Sequence, residues 1–328
     1  MSILSISRLP LPYPATNLER DKWVLERRPA RENLDPQKPY LFFVEQELST
    51  SGEILAVATV FLTNRECPWR CVMCDLWRNT LTSSAPASAI PEQIDFALSQ
   101  LPAARVLKLY NSGSFFDSRA IPVEDHPAIA RRANDFERLI VETHPALVRD
   151  DCLRFRDRLK CRFEIAMGLE TVHPDVLPRL NKRMTLDQFS SAANFLRTHD
   201  IDLRVFILVQ PPFMPPHDAV LWAHRSVDFA FDCGATAVTL IPTRGGNGAM
   251  EVLARNQQFS PPRLESLEAS VVYGLSLRRG RVFVDLWDAE KIPACHACRM
   301  PRISRLRQMN LSQINLAPVR CDICDSAN

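Results

Sequence analysis

From residue 54 onward, short apolar or β-branched runs alternate with longer amphipathic stretches. That alternation predicts βα units arranged around a parallel sheet. Strands are expected at 54–63, 106–111, 138–142, 162–169, 203–209, 237–241 and 282–286. Helices are expected at 91–100, 126–134, 147–159, 185–199, 218–233 and 261–277, the fourth opened by the hydroxyl of Thr185 as N-cap. Six or seven such repeats over about 240 residues predict an α/β fold, a partial (β/α) barrel whose chemistry collects in the loops after its strands. Residues 1–50 are proline-rich and charged with weak periodicity, and are expected to wrap the body as an N-terminal extension. The barrel is then expected at 51–290, with a small metal-binding tail at 291–328.

Composition narrows the class. Apolar residues make up 46% and charged residues 24% of the 328, enough for a sizeable core. A net charge of +2 gives no general electrostatic reason to bind nucleic acid or membrane, so any basic footprint must be local. No signal peptide is expected, because Arg8 and Pro10, Pro12 and Pro14 interrupt the apolar start. The longest apolar stretch, 54–63, is too short to span a bilayer. Ten cysteines in such a chain point to reduced thiols with metals to hold and to the cytoplasm as the default compartment. Only nine glycines accompany 25 prolines, so Gly113, Gly168, Gly245 and Gly246 are candidates for positions that need special backbone geometry.

The loop after the first expected strand reads Cys67-Pro-Trp-Arg-Cys71-Val-Met-Cys74. Three thiolates on one tight loop suit three irons of a [4Fe–4S] cube and leave the fourth iron open to a small chelating molecule. The plain alternatives are a zinc site or three unrelated thiols, but no fourth ligand lies close by in sequence. The spacing and its position resemble the radical S-adenosylmethionine (SAM) superfamily. The resemblance implies that SAM chelates the open iron and that an external one-electron reductant, such as flavodoxin or ferredoxin, supplies the electron. A 5′-deoxyadenosyl radical would then take a hydrogen from substrate, the cofactors carrying the chemistry and the protein orienting them. Asp75 stands where the family often has an aromatic residue, with Trp77 nearby.

Downstream segments extend the resemblance over about residues 54–290. Asn111-Ser112-Gly113-Ser114 ends the second expected strand where the family often has a glycine-rich GGE turn that meets the SAM amino group. Read alone it is an ordinary turn. Gly168-Leu169-Glu170-Thr171 is similar to the GLE(S/T) segment of the Elp3-like group, which implies a contact of Glu170 with the SAM ribose. Leu180-Asn181-Lys182-Arg183-Met184-Thr185 resembles a further stretch of that group. It offers Arg183 or Lys182 to the SAM carboxylate, or only a solvated helix start. Glu142 is a candidate pocket wall, while Gln210 and Thr243-Arg244-Gly245-Gly246 end strands where adenine and substrate would sit. The segment 108–117 and Met309-Asn310-Leu311-Ser312-Gln313 resemble a narrower Elp3-like group that acts in archaeosine synthesis on a 7-deazaguanine base in tRNA. That implies tRNA or a partner enzyme as partners.

The tail carries Cys295-His296-Ala297-Cys298 and, about twenty residues on, Cys321-Asp322-Ile323-Cys324, the spacing of a tetrahedral four-cysteine zinc site. An auxiliary iron–sulfur cluster is the main rival, four free thiols the third reading. Arg299, Arg302, Arg305, Arg307 and Arg320 are either a phosphate grip or a solvated helix face. Cys152, Cys161 and Cys233 are expected as small buried apolar residues. Three functions remain open: a radical SAM enzyme acting on a tRNA base, one acting on a small molecule or lipid, and a cluster-binding protein without SAM chemistry.

Overall fold

The strands follow from runs that are apolar on both faces, as a parallel sheet covered by helices requires. The computed structural model describes residues 13–325. In chain order α1 (Asn17–Leu25) precedes β1 (Leu41–Leu48), β2 (Ile54–Phe61), α2 (Ala89–Leu98) and β3 (Val106–Tyr110). Then come α3 (His126–Ala133), β4 (Arg138–Glu142), α4 (Asp150–Arg156), β5 (Arg162–Glu170), α5 (Leu186–Thr198), β6 (Asp202–Val209) and α6 (Ala219–Asp232). β7 (Ala237–Pro242), α7 (Ala249–Arg255), α8 (Leu264–Leu277), β8 (Arg281–Val284) and α9 (Arg299–Ser312) complete the series. The strands form one curled half-barrel sheet in sequence order, β1 antiparallel to β2 and all other neighbours parallel. Every expected strand is present, and Thr185 caps α5 in a reciprocal box with Gln188.

One strand has no counterpart in the expected set. β1 reads Leu-Phe-Phe-Val-Glu-Gln-Glu-Leu, and its two acids break the apolar run by which strands are recognised. The acids point inward, where their partners are. Glu47 reaches Lys108 at 2.6 Å and Arg281 at 3.3 Å, and it bonds Arg204 as well. Glu164, fully buried, meets Arg204 at 2.6 Å, Arg138 at 3.0 Å and Arg281 at 3.2 Å. These side chains sit near the N-terminal ends of the parallel strands and close that end of the barrel with a floor of paired charges.

Side chains alternate across each strand. The outward set, including Leu107, Leu109, Leu139, Val141, Val205, Ile207, Val238 and Leu240, is buried beneath Ile90, Ile94, Phe189, Leu196, Val227 and Val271 of the helices. Burying each such side chain contributes about 1.5–3 kcal/mol. The half barrel ends at β8, whose free edge is covered by α9. Asn310 accepts from Val284 N (2.9 Å) and donates to Val284 O (2.8 Å), and Gln313 does the same for Val282 at 2.6 and 2.8 Å. Two amides one helical turn apart thus satisfy the two residues whose backbone faces away from β7. The segment that resembled the archaeosine-type group is this edge cover. On the same helix Arg302 and Arg305 turn inward to Glu265 and Glu268, which leaves them off any phosphate-binding face.

Candidate active site

Loops at the C-terminal ends of the strands converge on the segment that carries Cys67, Cys71 and Cys74. Its carbonyls are held from two sides. Asn181 donates to Arg70 O (2.8 Å), while Asn247 donates to Val72 O (2.8 Å) and Cys74 O (3.0 Å). Val72 N bonds Leu180 O at 3.0 Å. Glu66, next to Cys67, binds Arg28 at 2.7 Å, Arg70 at 3.0 Å and Arg31, which staples the segment after α1 onto the cysteine loop. Trp69 lies between the first two cysteines and stacks on His144, centroids 3.7 Å apart and planes 14° apart. His144 accepts from Ala146 N at Nδ1, so its Nε2 carries the proton and donates to Lys182 O at 3.0 Å. Burial, with Lys182 nearby, pushes His144 down to about 3, so the ring is neutral at physiological pH. None of Trp69, His144, Asn247 and Glu66 is marked out by sequence pattern, because their roles depend on contacts between distant loops.

Each of the three thiols is only partly accessible, and burial pushes each up to about 12. Thiols in such a setting give up their protons to a metal cation, not to bulk solvent. The loop thiols do not converge as single-ion ligands do. Among the described residues, Cys295, Cys298, Cys321 and Cys324 are the group whose sulfurs lie within 4.8 Å of one another. Wider spacing suits a cluster, where each cysteine takes a different iron.

The residues expected at SAM line the same end of the barrel. Ser112, Glu170 and Gln210 end β3, β5 and β6 with φ of 53°, 65° and 56°, the left-handed region that non-glycine residues rarely adopt. Strain of this kind costs about 1–3 kcal/mol per residue and gathers at functional sites. Gly113 abuts the first cysteine, where a Cβ would stand 3.2 Å from that of Cys67. Asn111 is fully buried, and neither its Oδ1 nor its Nδ2 has a partner, which leaves a donor and an acceptor beside the loop. Ser114 Oγ accepts from His144 N (2.9 Å) and Ser112 Oγ meets Tyr40 at 2.9 Å. Glu142 accepts from Asn111 N (2.6 Å) and Gly113 N (3.4 Å), so it shapes this turn from below.

Glu170 pairs with Lys182 at 2.5 Å, both nearly buried, and the pair fills the space where Gly168 lacks a side chain. Arg183 leaves this cluster, pairing with Asp21 of α1, while Lys182 stays close enough to Cys67 and Cys71 to act on their charge. Gln210 is engaged, donating to Ser260 O at 2.7 Å and Oγ at 2.8 Å. In the tail, Cys295 and Cys321 sulfurs stand 3.9 Å apart, Cys298 and Cys324 sulfurs 3.8 Å. No described helix is long and apolar enough to cross a membrane.

No family model matches the chain. It is 23% identical over 249 residues to an uncharacterized protein of Methanocaldococcus jannaschii, covering 71% of this chain and 68% of that one. It is 28% identical over 227 residues to archaeosine synthase subunit beta of Methanosarcina acetivorans, covering 64% of each. With the Thermococcus kodakarensis protein of the same name the match is 26%, over 49% of this chain and 51% of the relative. The chain thus spans less than two thirds of both archaeosine synthase subunits. Among solved structures, methylornithine synthase superposes with a TM-score of 0.51 at 12% identity, over 78% of this chain and 69% of that one. The fold is that of the radical SAM enzymes. In the radical SAM fold as this chain builds it, the sheet is a half barrel, the cysteine loop follows β2, and α9 takes the place of a next strand.

Proposed function

We propose that the chain is a radical SAM enzyme whose Cys67, Cys71 and Cys74 hold a [4Fe–4S] cluster and whose substrate is a 7-deazaguanine-type base in tRNA. One observation carries the catalytic part of the reading: a three-cysteine loop, whose sulfurs do not gather as a single-ion site, faces the unpartnered Asn111 amide at the C-terminal end of β3. When bound, the cluster supplies one electron that splits the C5′–S bond of SAM into methionine and a 5′-deoxyadenosyl radical, which takes a hydrogen atom from substrate. The protein's own part is to bind and orient. Asn111 offers both amide atoms to the amino-acid end of SAM, and the bend at Gly113 admits it beside Cys67. Lys182 places a cation there for its carboxylate, and Glu170 accepts from the ribose hydroxyls. His144 and Trp69 hold the loop flat, and the two asparagines fix its carbonyls.

The tail reads as a zinc site. A tetrahedron with metal–sulfur bonds near 2.3 Å has edges of about 3.8 Å, and the sulfurs stand 3.8 and 3.9 Å apart. A cluster, with each sulfur on a different iron, would hold them farther apart. The tRNA reading rests on the two archaeosine synthase relatives and the resemblance of 108–117. The subunit name of those relatives supports a partner subunit, and the cluster needs an external reductant such as flavodoxin or ferredoxin.

The test is anaerobic reconstitution with iron and sulfide, followed by an assay for 5′-deoxyadenosine from SAM and dithionite. The product is expected in the unsubstituted protein and absent in Cys71→Ala. An intact cluster with no product in the presence of tRNA and reductant refutes the reading. Zinc and iron counted in a Cys67/Cys71/Cys74 triple alanine variant are expected to give one zinc per chain and no iron.

A further inference from the structure

The inward faces of the strands carry an unusual feature for mid-sheet positions. Phe61, Tyr110 and Phe206 keep accessible surface although the outward residues beside them are fully buried, and Phe43 on the edge strand is half-buried on the same inward side. Their surface therefore faces a hollow inside the half barrel, closed below by the ionic floor and open toward the cysteine loop. The wall is aromatic and continuous. Phe61 contacts Phe43 (6.0 Å between centroids) and Tyr110 (5.8 Å), and Tyr110 contacts Phe206 (6.1 Å). At the rim Trp287 lies nearly parallel to Phe43, 25° between planes, and is 55% exposed.

Charge at that rim is not balanced. Asp75, directly after the last loop cysteine, has accessible surface, and the charged groups acting on it are Arg244, Arg78 and Asp285. Both arginines are already taken. Arg244 binds Asp285 at 2.9 Å and donates to Trp287 O at 2.6 Å, while Arg78 binds Glu32 at 2.9 Å. Asp75 itself forms no salt bridge among the described residues. A carboxylate left without a cation beside an aromatic wall suits a flat ring that carries a positive or N–H donor group, since the wall supplies stacking and the acid supplies the polar contact.

We propose that this chamber binds the reacting end of its substrate as a flat aromatic ring bearing an amino group, with Asp75 as the specificity-determining acceptor and Trp287 as the stacking face. The proposal rests on the radical SAM reading for the chamber's role, but its binding test does not depend on turnover. Tryptamine is the probe, having both ring and ammonium group. Cyclohexylamine lacks the aromatic ring and naphthalene-2-sulfonate lacks the donor. Equilibrium dialysis against the cluster-loaded full chain with SAM is expected to show tryptamine binding at least tenfold tighter than either control. Asp75→Asn and Trp287→Ala should each weaken tryptamine at least tenfold, and Asp75→Glu should restore most of the loss from the asparagine. Iron is counted in each sample, so a lost cluster is told apart from a lost contact. Tryptamine binding no tighter than the controls, or undiminished in Asp75→Asn with its iron intact, overturns the proposal. Loss of 5′-deoxyadenosine formation in the unsubstituted protein would instead strike the radical SAM reading alone.

Discussion

Replacing Glu164 by glutamine keeps the shape of the barrel floor and removes one charge from it. Glu164 has no exposure and is shared by Arg204 at 2.6 Å, Arg138 at 3.0 Å and Arg281 at 3.2 Å. Arg204 is itself buried, and after the substitution its remaining carboxylate partner is Glu47. Breaking a buried pair by removing one partner costs about 3–5 kcal/mol, because the other charge stays buried and uncompensated. For a chain with an m-value of about 3 kcal/mol per molar urea, that lowers the unfolding midpoint by about 1–1.7 M. Glu45→Gln is the internal control. Its side chain is 40% exposed in the pair with Lys108, so solvent screening holds its cost to about 1 kcal/mol or less. Urea unfolding followed by circular dichroism checks both. A midpoint for Glu164→Gln no lower than that for Glu45→Gln would show that the floor is not the structural element described above. The acid side has a definite sign. Burial pushes the Glu164 carboxyl up, and Arg204, Arg281 and Arg138 more than reverse it, holding it below the ordinary carboxylate range. Its contribution is therefore present above that range and is lost as pH falls below about 4.

Gly168→Ala would drive a methyl group into the Glu170–Lys182 pair, and SAM affinity of the cluster-loaded protein is expected to fall at least tenfold by equilibrium dialysis. An unchanged affinity would separate the pair from SAM. Asn310→Ala strips two hydrogen bonds from the buried Val284 backbone, and at about 1–3 kcal/mol for each buried group left unsatisfied the loss is about 2–6 kcal/mol in urea unfolding. His144 and His126, held down by burial to about 3 and about 4, are neutral in the fold and charged when unfolded below pH 6.5. Stability is then full above about 6.5 and falls with pH below it by up to about 1.4 kcal/mol per unit for each histidine. A His126→Gln variant should halve that slope between pH 6 and 5.

What the sequence disclosed and what it concealed divide along physical lines. Strands buried on both faces write themselves as unbroken apolar runs, and the loop of Cys67, Cys71 and Cys74 writes itself as a cysteine spacing, because both depend on neighbours in the chain. β1 was hidden because its inward face carries Glu45 and Glu47, whose partners Lys108, Arg204 and Arg281 are more than sixty residues away. The same holds for His144 under Trp69 and for Asn247 on the cysteine loop. Between Lys182 and Arg183, adjacent and alike in charge, no pattern chooses. The left-handed backbone at Asn181 and Arg183 turns the lysine inward and the arginine toward Asp21.

The cover that α9 lays over β8 has a consequence for handling the protein. An uncovered strand edge offers its N–H and C=O groups to any other strand in solution. Asn310 and Gln313 blunt that edge from a helix bracketed by the four tail cysteines, Cys298 just before it and Cys321 and Cys324 beyond it. On the proposed metal site, stripping the tail with a chelator would loosen the anchor of α9 and turn the last strand into an adhesive template. The first sign of metal loss would be turbidity and high-molecular-weight material on a sizing column, ahead of any change at the cysteine loop. Supply of the metal proposed for the tail would then govern yield more than activity per molecule.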